Sequence, residues 1–233
     1  MKICAIHGSG RKGNTDRTIE IIKNRLNAIG KFAFTDIYLP DDLPHFCKGC
    51  FLCVVTGVTA GENCPHGQYT KPVLEKMLAS DGIIIGSPTY ALAESAQLKA
   101  LFDHFACTFI CHRPNEAMFG KIGFVVSTAA GAGTGNVIKV AGRNLLYWGI
   151  KRTVKCGFNL WEKDWDKMPQ QKRTRLEKSL EKKTDKFYEY LKKRNRLPRT
   201  LKAAMLRIVF KKLIRGYPDG NPDKVYWKSK GWL

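Results

Sequence analysis

Apolar positions follow two rhythms along this chain. Short continuous runs, such as Ile3 to Ile6, Ile83-Ile84-Ile85 and Ile122-Gly123-Phe124-Val125-Val126, alternate with stretches like Ile19, Ile22 and Leu26, spaced by three or four. Continuous runs suit strands covered on both faces, and the longer period suits amphipathic helices. The pattern predicts five strands at 2–7, 32–39, 82–86, 121–127 and about 150–160, with helices near 15–28, 70–80, 95–110 and 136–148. This alternation implies an α/β fold, a parallel, doubly wound five-stranded sheet with right-handed crossovers. Ligands then bind at the carboxyl edge of the strands, where the loops 8–15, 87–92 and 128–135 belong.

A further seam of Leu176, Leu180, Phe187 and Leu191 predicts a last helix over 167–195, stopped by Leu197-Pro198. The main domain is therefore 1–195, and 196–233 is a helical extension. In the extension Leu201, Met205, Leu206, Val209, Phe210 and Leu213 share one side of a helix over 199–215, with Arg207, Lys211 and Arg215 opposite. Tyr217-Pro218-Asp219-Gly220-Asn221-Pro222 reads as a turn cluster, and Tyr226, Trp227 and Trp232 end the chain. A seam this apolar calls for packing or dimerisation, so a homo-oligomer is expected.

The first loop, Gly8-Ser9-Gly10-Arg11-Lys12-Gly13-Asn14-Thr15, joins a strand to a helix. Backbone N–H groups and hydroxyls there converge beside the positive end of a helix dipole, which makes an anion site. No Gly-Lys-Ser/Thr closes it, so it is not a Walker loop. It also lacks the dinucleotide pattern of Gly-x-Gly-x-x-Gly with a distant acid. Ser, Asn and Thr suit a terminal phosphate, such as that of a mononucleotide. His7 precedes this loop, within reach of such a phosphate. After the third strand, Ser87-Pro88-Thr89-Tyr90 can hold one side of a flat heterocycle. After the fourth, Thr128-Ala129-Ala130-Gly131 lets a ligand approach the backbone closely.

Charge and cysteines refine this picture. The net charge is +20 over 233 residues, and it is uneven: residues 151–233 carry 25 Lys and Arg against 9 Asp and Glu. On charge alone that third of the chain could dock on nucleic acid or an anionic membrane surface. Glu177, Glu181, Asp185 and Glu189 interleave with its bases, however, as on a solvated helix face. Nucleic acid is therefore the weaker expectation. Neither a secretory leader nor a membrane-spanning stretch is legible, so a reducing cytoplasm is expected for the 8 cysteines. Cys47-Lys48-Gly49-Cys50-Phe51-Leu52-Cys53 brings three thiols to two-residue spacing, and Cys64-Pro65 follows. Ferredoxin clusters use such gaps and end in Cys-Pro; zinc, a redox dithiol and plain packing are the alternatives. Cys4, Cys107, Cys111 and Cys156 are expected to pack.

Taken in order, Gly8 to Thr15, Gly86-Ser87-Pro88-Thr89-Tyr90 and Ser95-Ala96-Gln97-Leu98-Lys99-Ala100-Leu101-Phe102-Asp103-His104 resemble the flavodoxin-like NADPH-dependent FMN reductase family over about residues 1–160. The cysteine segment resembles that of its iron–sulfur flavoprotein branch. The resemblance implies a flavodoxin-like fold and FMN. The phosphate would lie on Ser9, Arg11, Asn14 and Thr15. The isoalloxazine would lie against Ser87, Pro88, Thr89 and Tyr90, with Thr128, Ala129, Ala130 and Gly131 on the other side. It also implies a [4Fe–4S] cluster on Cys47, Cys50, Cys53 and Cys64. The donor would be NAD(P)H or a reduced carrier, and the acceptor a small molecule or quinone.

Overall fold

The structure, a computed structural model, describes residues 1–57 and 61–233. The first apolar run forms β1 (Lys2–His7), which pairs in parallel with β2 (Ala33–Tyr38) and β3 (Gly82–Tyr90). Next to β3 lies β5 (Ile122–Ala129), and beyond it β6 (Arg152–Asn159). The five parallel strands run in the order β2-β1-β3-β5-β6, as expected of a doubly wound sheet. A short β4 (Ala93–Glu94) folds back antiparallel on the end of β3.

Side chains of β3 alternate across the sheet. Ile84 points into a core shared with Ile19, Ile22 and Leu26 of α1 (Asn14–Ile29) and with Phe187 and Leu191 of α6 (Gln170–Lys193). Ile83 and Ile85 meet α3 (Gly67–Leu78), α4 (Ala96–His104) and α5 (Thr134–Tyr147) through Val73, Met77, Leu98, Leu101 and Leu145. Each such side chain is fully buried, which contributes about 1.5–3 kcal/mol. Gly86 sets how close α1 lies: a Cβ there would come 2.5 Å from Ile19 Cδ1. Its absence lets the N-terminus of α1 sit at the carboxyl edge of the sheet.

Several elements differ from the sequence reading. Ser87 to Tyr90 continue β3 instead of forming a loop, because Ser87 and Pro88 pair with Ser127 and Thr128 before Thr89 turns to Glu94. Thr128 and Ala129 likewise end β5. A four-residue α2 (Leu52–Val55) interrupts the cysteine segment. The expected turn and aromatic tail contain α8 (Pro222–Ser229), whose Asn221 side chain caps the N–H groups of Asp223 and Lys224, with Pro222 in the first turn.

The extension helix, α7 (Leu201–Arg215), covers only part of its predicted seam within the chain. Ile214 and Phe210 join Ile110, Tyr147, Tyr217 and Trp227 in a small aromatic core. Leu201, Met205, Ile208, Val209 and Leu213 stay exposed. Burial follows the aromatic pocket, which only the folded arm creates. Among the described residues no helix is long and apolar enough to cross a membrane.

Candidate functional site

Asp16 organises the first loop. Its Oδ2 accepts from Gly13 N at 3.0 Å and its Oδ1 lies 2.6 Å from His7 Nδ1. The next N–H groups, at the start of α1, have no helical carbonyl before them and remain open to an anion. Ser9 Oγ accepts from Arg11 N at 3.1 Å, which curls the loop, and Ser95 Oγ donates to Gly8 O from the cap of α4. Thr15 is buried and shares a 2.7 Å hydrogen bond with Thr128 Oγ1, tying the loop to the end of β5.

These contacts leave a cavity of about 390 Å³ at the carboxyl edge. Ser9, Arg11, Asn14, Thr15, Pro88, Thr89, Tyr90, Thr128, Ala129 and Ala130, all assigned to the cofactor in the sequence reading, line it. Ser87 lies behind the wall, its Oγ donating to Pro88 O at 2.9 Å and accepting from Ser95 N at 3.3 Å. Gly131 sits at the side, near Trp161. Gly13 of the first loop also lines the cavity, as do Glu162 and Lys163, which the sequence reading missed. The Asn14 amide reaches the carbonyls of Glu162 and Lys163 at 3.4 and 3.3 Å. The edge rule finds Glu162 and Lys163, because they directly follow the last parallel strand. Gly133 serves the rim: its φ is +101°, and a Cβ there would lie 2.9 Å from Thr89 Cγ2.

His7 is occupied elsewhere. Its Nε2 lies 2.9 Å from Asp36 Oδ1, so both ring nitrogens face carboxylates and both must donate, which requires the imidazolium. Burial alone would lower its pKa, but hydrogen bonds to Asp16 and Asp36 outweigh that and hold it above the ordinary 6.5. A raised folded-state pKa means the stabilisation is complete below pH 6.5 and fades as pH rises through the raised value. Urea unfolding across that window should cost wild type on the order of 1 kcal/mol that His7→Gln does not lose. Parallel profiles for the two proteins would refute this role.

Cys47, Cys50, Cys53 and Cys64 border a narrow recess of about 20 Å³ with His66 and His104. Left-handed Gly49 and Phe51, at φ +64° and +60°, wrap the segment, and Gly49 N–H donates to Cys47 Sγ at 3.4 Å. Cys64 Sγ lies 3.9 Å from His104 Nδ1. Cys107, expected to pack, is buried and donates to His104 O at 3.6 Å. Its thiol beside Cys53 lowers the Cys53 thiol pKa below its ordinary value. Burial raises that of Cys64. Among the described residues no three His, Cys, Asp or Glu side chains stand close enough to chelate one ion.

A parallel sheet with an anion loop and an open cavity at its carboxyl edge defines a flavodoxin-like protein. Solved structures share the fold: a flavone reductase (TM-score 0.63, 14% identity, 86% of this chain and 66% of that one) and a Bacillus anthracis FMN-dependent NADH-azoreductase in complex with FMN (0.57, 14%, 79% and 98%). The family model for NADPH-dependent FMN reductase matches residues 1–165, and the chain belongs to that family. Similar curated proteins are an iron–sulfur flavoprotein of Methanosarcina thermophila, 33% identical over 54% of this chain and 62% of that protein, and one of Methanocaldococcus jannaschii, 39% identical over 44% and 51%. The matched region thus spans between half and two thirds of those relatives. A second iron–sulfur flavoprotein of M. jannaschii is 25% identical over 84% of this chain and its own full length.

Proposed function

We propose that this chain is an FMN-dependent oxidoreductase or electron-transfer flavoprotein. It would accept electrons from NAD(P)H or a reduced carrier and deliver them to a small-molecule or quinone acceptor. The carrying observation is the cavity where the family's loop, at the N-terminus of α1, faces the ends of β3 and β5. Its donors fit FMN: open N–H groups and the Ser9, Asn14 and Thr15 side chains for a phosphate, Arg11 and Lys163 for its charge, and an aromatic face at Tyr90. Tyr90 is 47% exposed, with its hydroxyl 3.5 Å from Ser9 Oγ, so its ring is free to stack. Small residues at Ala129 and Ala130 keep the opposite wall low.

The cysteine recess supports a second group. Four thiols bordering one recess are the soft donor set of an iron–sulfur cluster, and the curated relatives carry that name. The recess has room for about one water, so loading requires the exposed outer half of the segment to move outward. When bound, FMN supplies one- and two-electron chemistry and a [4Fe–4S] cluster single-electron steps. The protein's part is to bind, orient and tune both.

Anaerobic titration should show near-stoichiometric FMN binding, with the bound flavin bleached by NADPH, by NADH or by reduced ferredoxin. Tyr90→Ala should shift the bound-flavin spectrum while the fold, followed by circular dichroism, is unchanged. Failure to bind FMN, or a spectrum unaltered by changes across 87–92, would sink the assignment.

A further inference from the structure

A buried charge group joins the cysteine segment to the C-terminal arm, and the flavin cavity does not use it. Arg113 is 1% exposed. Its Nη2 donates to the carbonyls of Cys53 and Val54 at 2.6 and 2.8 Å, and its Nη1 to those of Gly57 and Thr56 at 2.7 and 3.3 Å. Four carbonyls from residues 53–57 thus converge on one guanidinium. Asp223 of α8, also buried, places Oδ1 3.2 Å from Arg113 Nε, while its Oδ2 lies 2.8 Å from His112 Nδ1. The arm is seated around them: Trp227 Nε1 donates to His112 O at 2.7 Å, and Tyr226 Oη to Pro114 O at 2.8 Å.

The cation needs that carboxylate. A buried guanidinium without a counter-charge is strongly unfavourable, and removing one partner of a buried pair costs far more than an exposed pair gains. Carbonyl dipoles supply part of the compensation, and Asp223 supplies the charge. The same carboxylate, with help from Cys111, holds the pKa of His112 up to about 10, so Asp223 stands between two cations. If Asp223 leaves, Arg113 must find water, and the carbonyls of 53–57 lose their common donor. Among the described residues, the outer part of the cysteine segment has no such anchor: Cys50 and Phe51 are exposed.

We propose that Asp223 and Arg113 are positioning residues for the cysteine site: docking of the C-terminal arm sets the conformation of residues 53–57, and so presents Cys53 for metal binding. This rests on the cysteine site being a metal site, as read above. The segment then has a fixed inner end at Cys53 and a free outer end at Cys47 to Phe51, which is what loading a narrow recess requires. Coupling of this kind is reciprocal, so loading the site strengthens docking of the arm.

The test uses the full chain, reconstituted anaerobically with ferrous iron and sulfide. Asp223→Asn keeps the shape and removes the charge. Expected are amide hydrogen exchange over 53–57 at least about tenfold faster, iron per chain down at least about threefold, and FMN per chain unchanged. Should that variant fail to fold, Arg113→Lys keeps the charge, loses the fork to four carbonyls, and carries the same readings. Unchanged exchange at 53–57 overturns the proposal, as does full iron content despite faster exchange. Wild type that takes up no iron, with exchange still faster in the variant, overturns the metal reading instead and leaves the arm's hold on the segment standing.

Discussion

Alanine at both Asn14 and Thr15 should weaken FMN binding by about two orders of magnitude and leave riboflavin nearly unchanged. Each side chain offers one hydrogen bond to a charged phosphate, worth about 1.5–3 kcal/mol, and each 1.4 kcal/mol is a factor of ten. Riboflavin lacks the phosphate and reports on the ring site alone. The structure sharpens the design. Thr15 is buried and bonded to Thr128, so Thr15→Val, which keeps the shape and removes the donor, separates the phosphate contact from packing. Asn14 also braces the 162–163 backbone, so its loss should loosen the rim from which Lys163 faces the cavity. Dissociation constants from fluorescence titration decide the matter. Equal weakening of both flavins would place the phosphate elsewhere.

The second large effect is expected at the cysteines. Protein purified without oxygen should contain iron and acid-labile sulfide in near-equal amounts and be brown rather than yellow. Cys50→Ser and Cys53→Ser should each remove most of that iron, while FMN per chain holds, because no cysteine lines the flavin cavity. The two positions differ in a useful way. Cys50 is exposed and its substitution disturbs little else, whereas the Cys53 carbonyl is held by Arg113. Cys64→Ser tests the fourth position, where the ten-residue separation from Cys53 departs from the compact spacing of the first three. Zinc alone, or no metal after anaerobic reconstitution, would exclude an iron–sulfur centre.

Much of the candidate site was legible because it is local. A strand, a loop of small hydroxylated residues and a helix occupy consecutive positions, and the physics of a helix N-terminus needs nothing from elsewhere in the chain. The loops of β3 and β5 were legible too, since parallel topology sends every strand end to one edge. Where the reading slipped, a partner strand decided. Ser87 to Tyr90 have no strand signature of their own, and it is pairing with β5 and β4 that extends β3 through them. His7 was set aside from the phosphate by Asp16, nine residues on, and by Asp36 on the neighbouring strand.

The sequence by itself determined the alternation of strands and helices, the five-stranded parallel sheet, the glycine-rich loop ahead of α1 and the close spacing of three thiols. Those features depend on periodicity, glycine placement and residue chemistry within short windows. The tertiary structure alone decided which face of α7 is covered, that Cys107 stands against Cys53, and that Asp223 reaches Arg113 from 110 positions away. These are contacts between segments remote in sequence. Their energies come from burial and charge compensation, which exist only once the chain has closed around them.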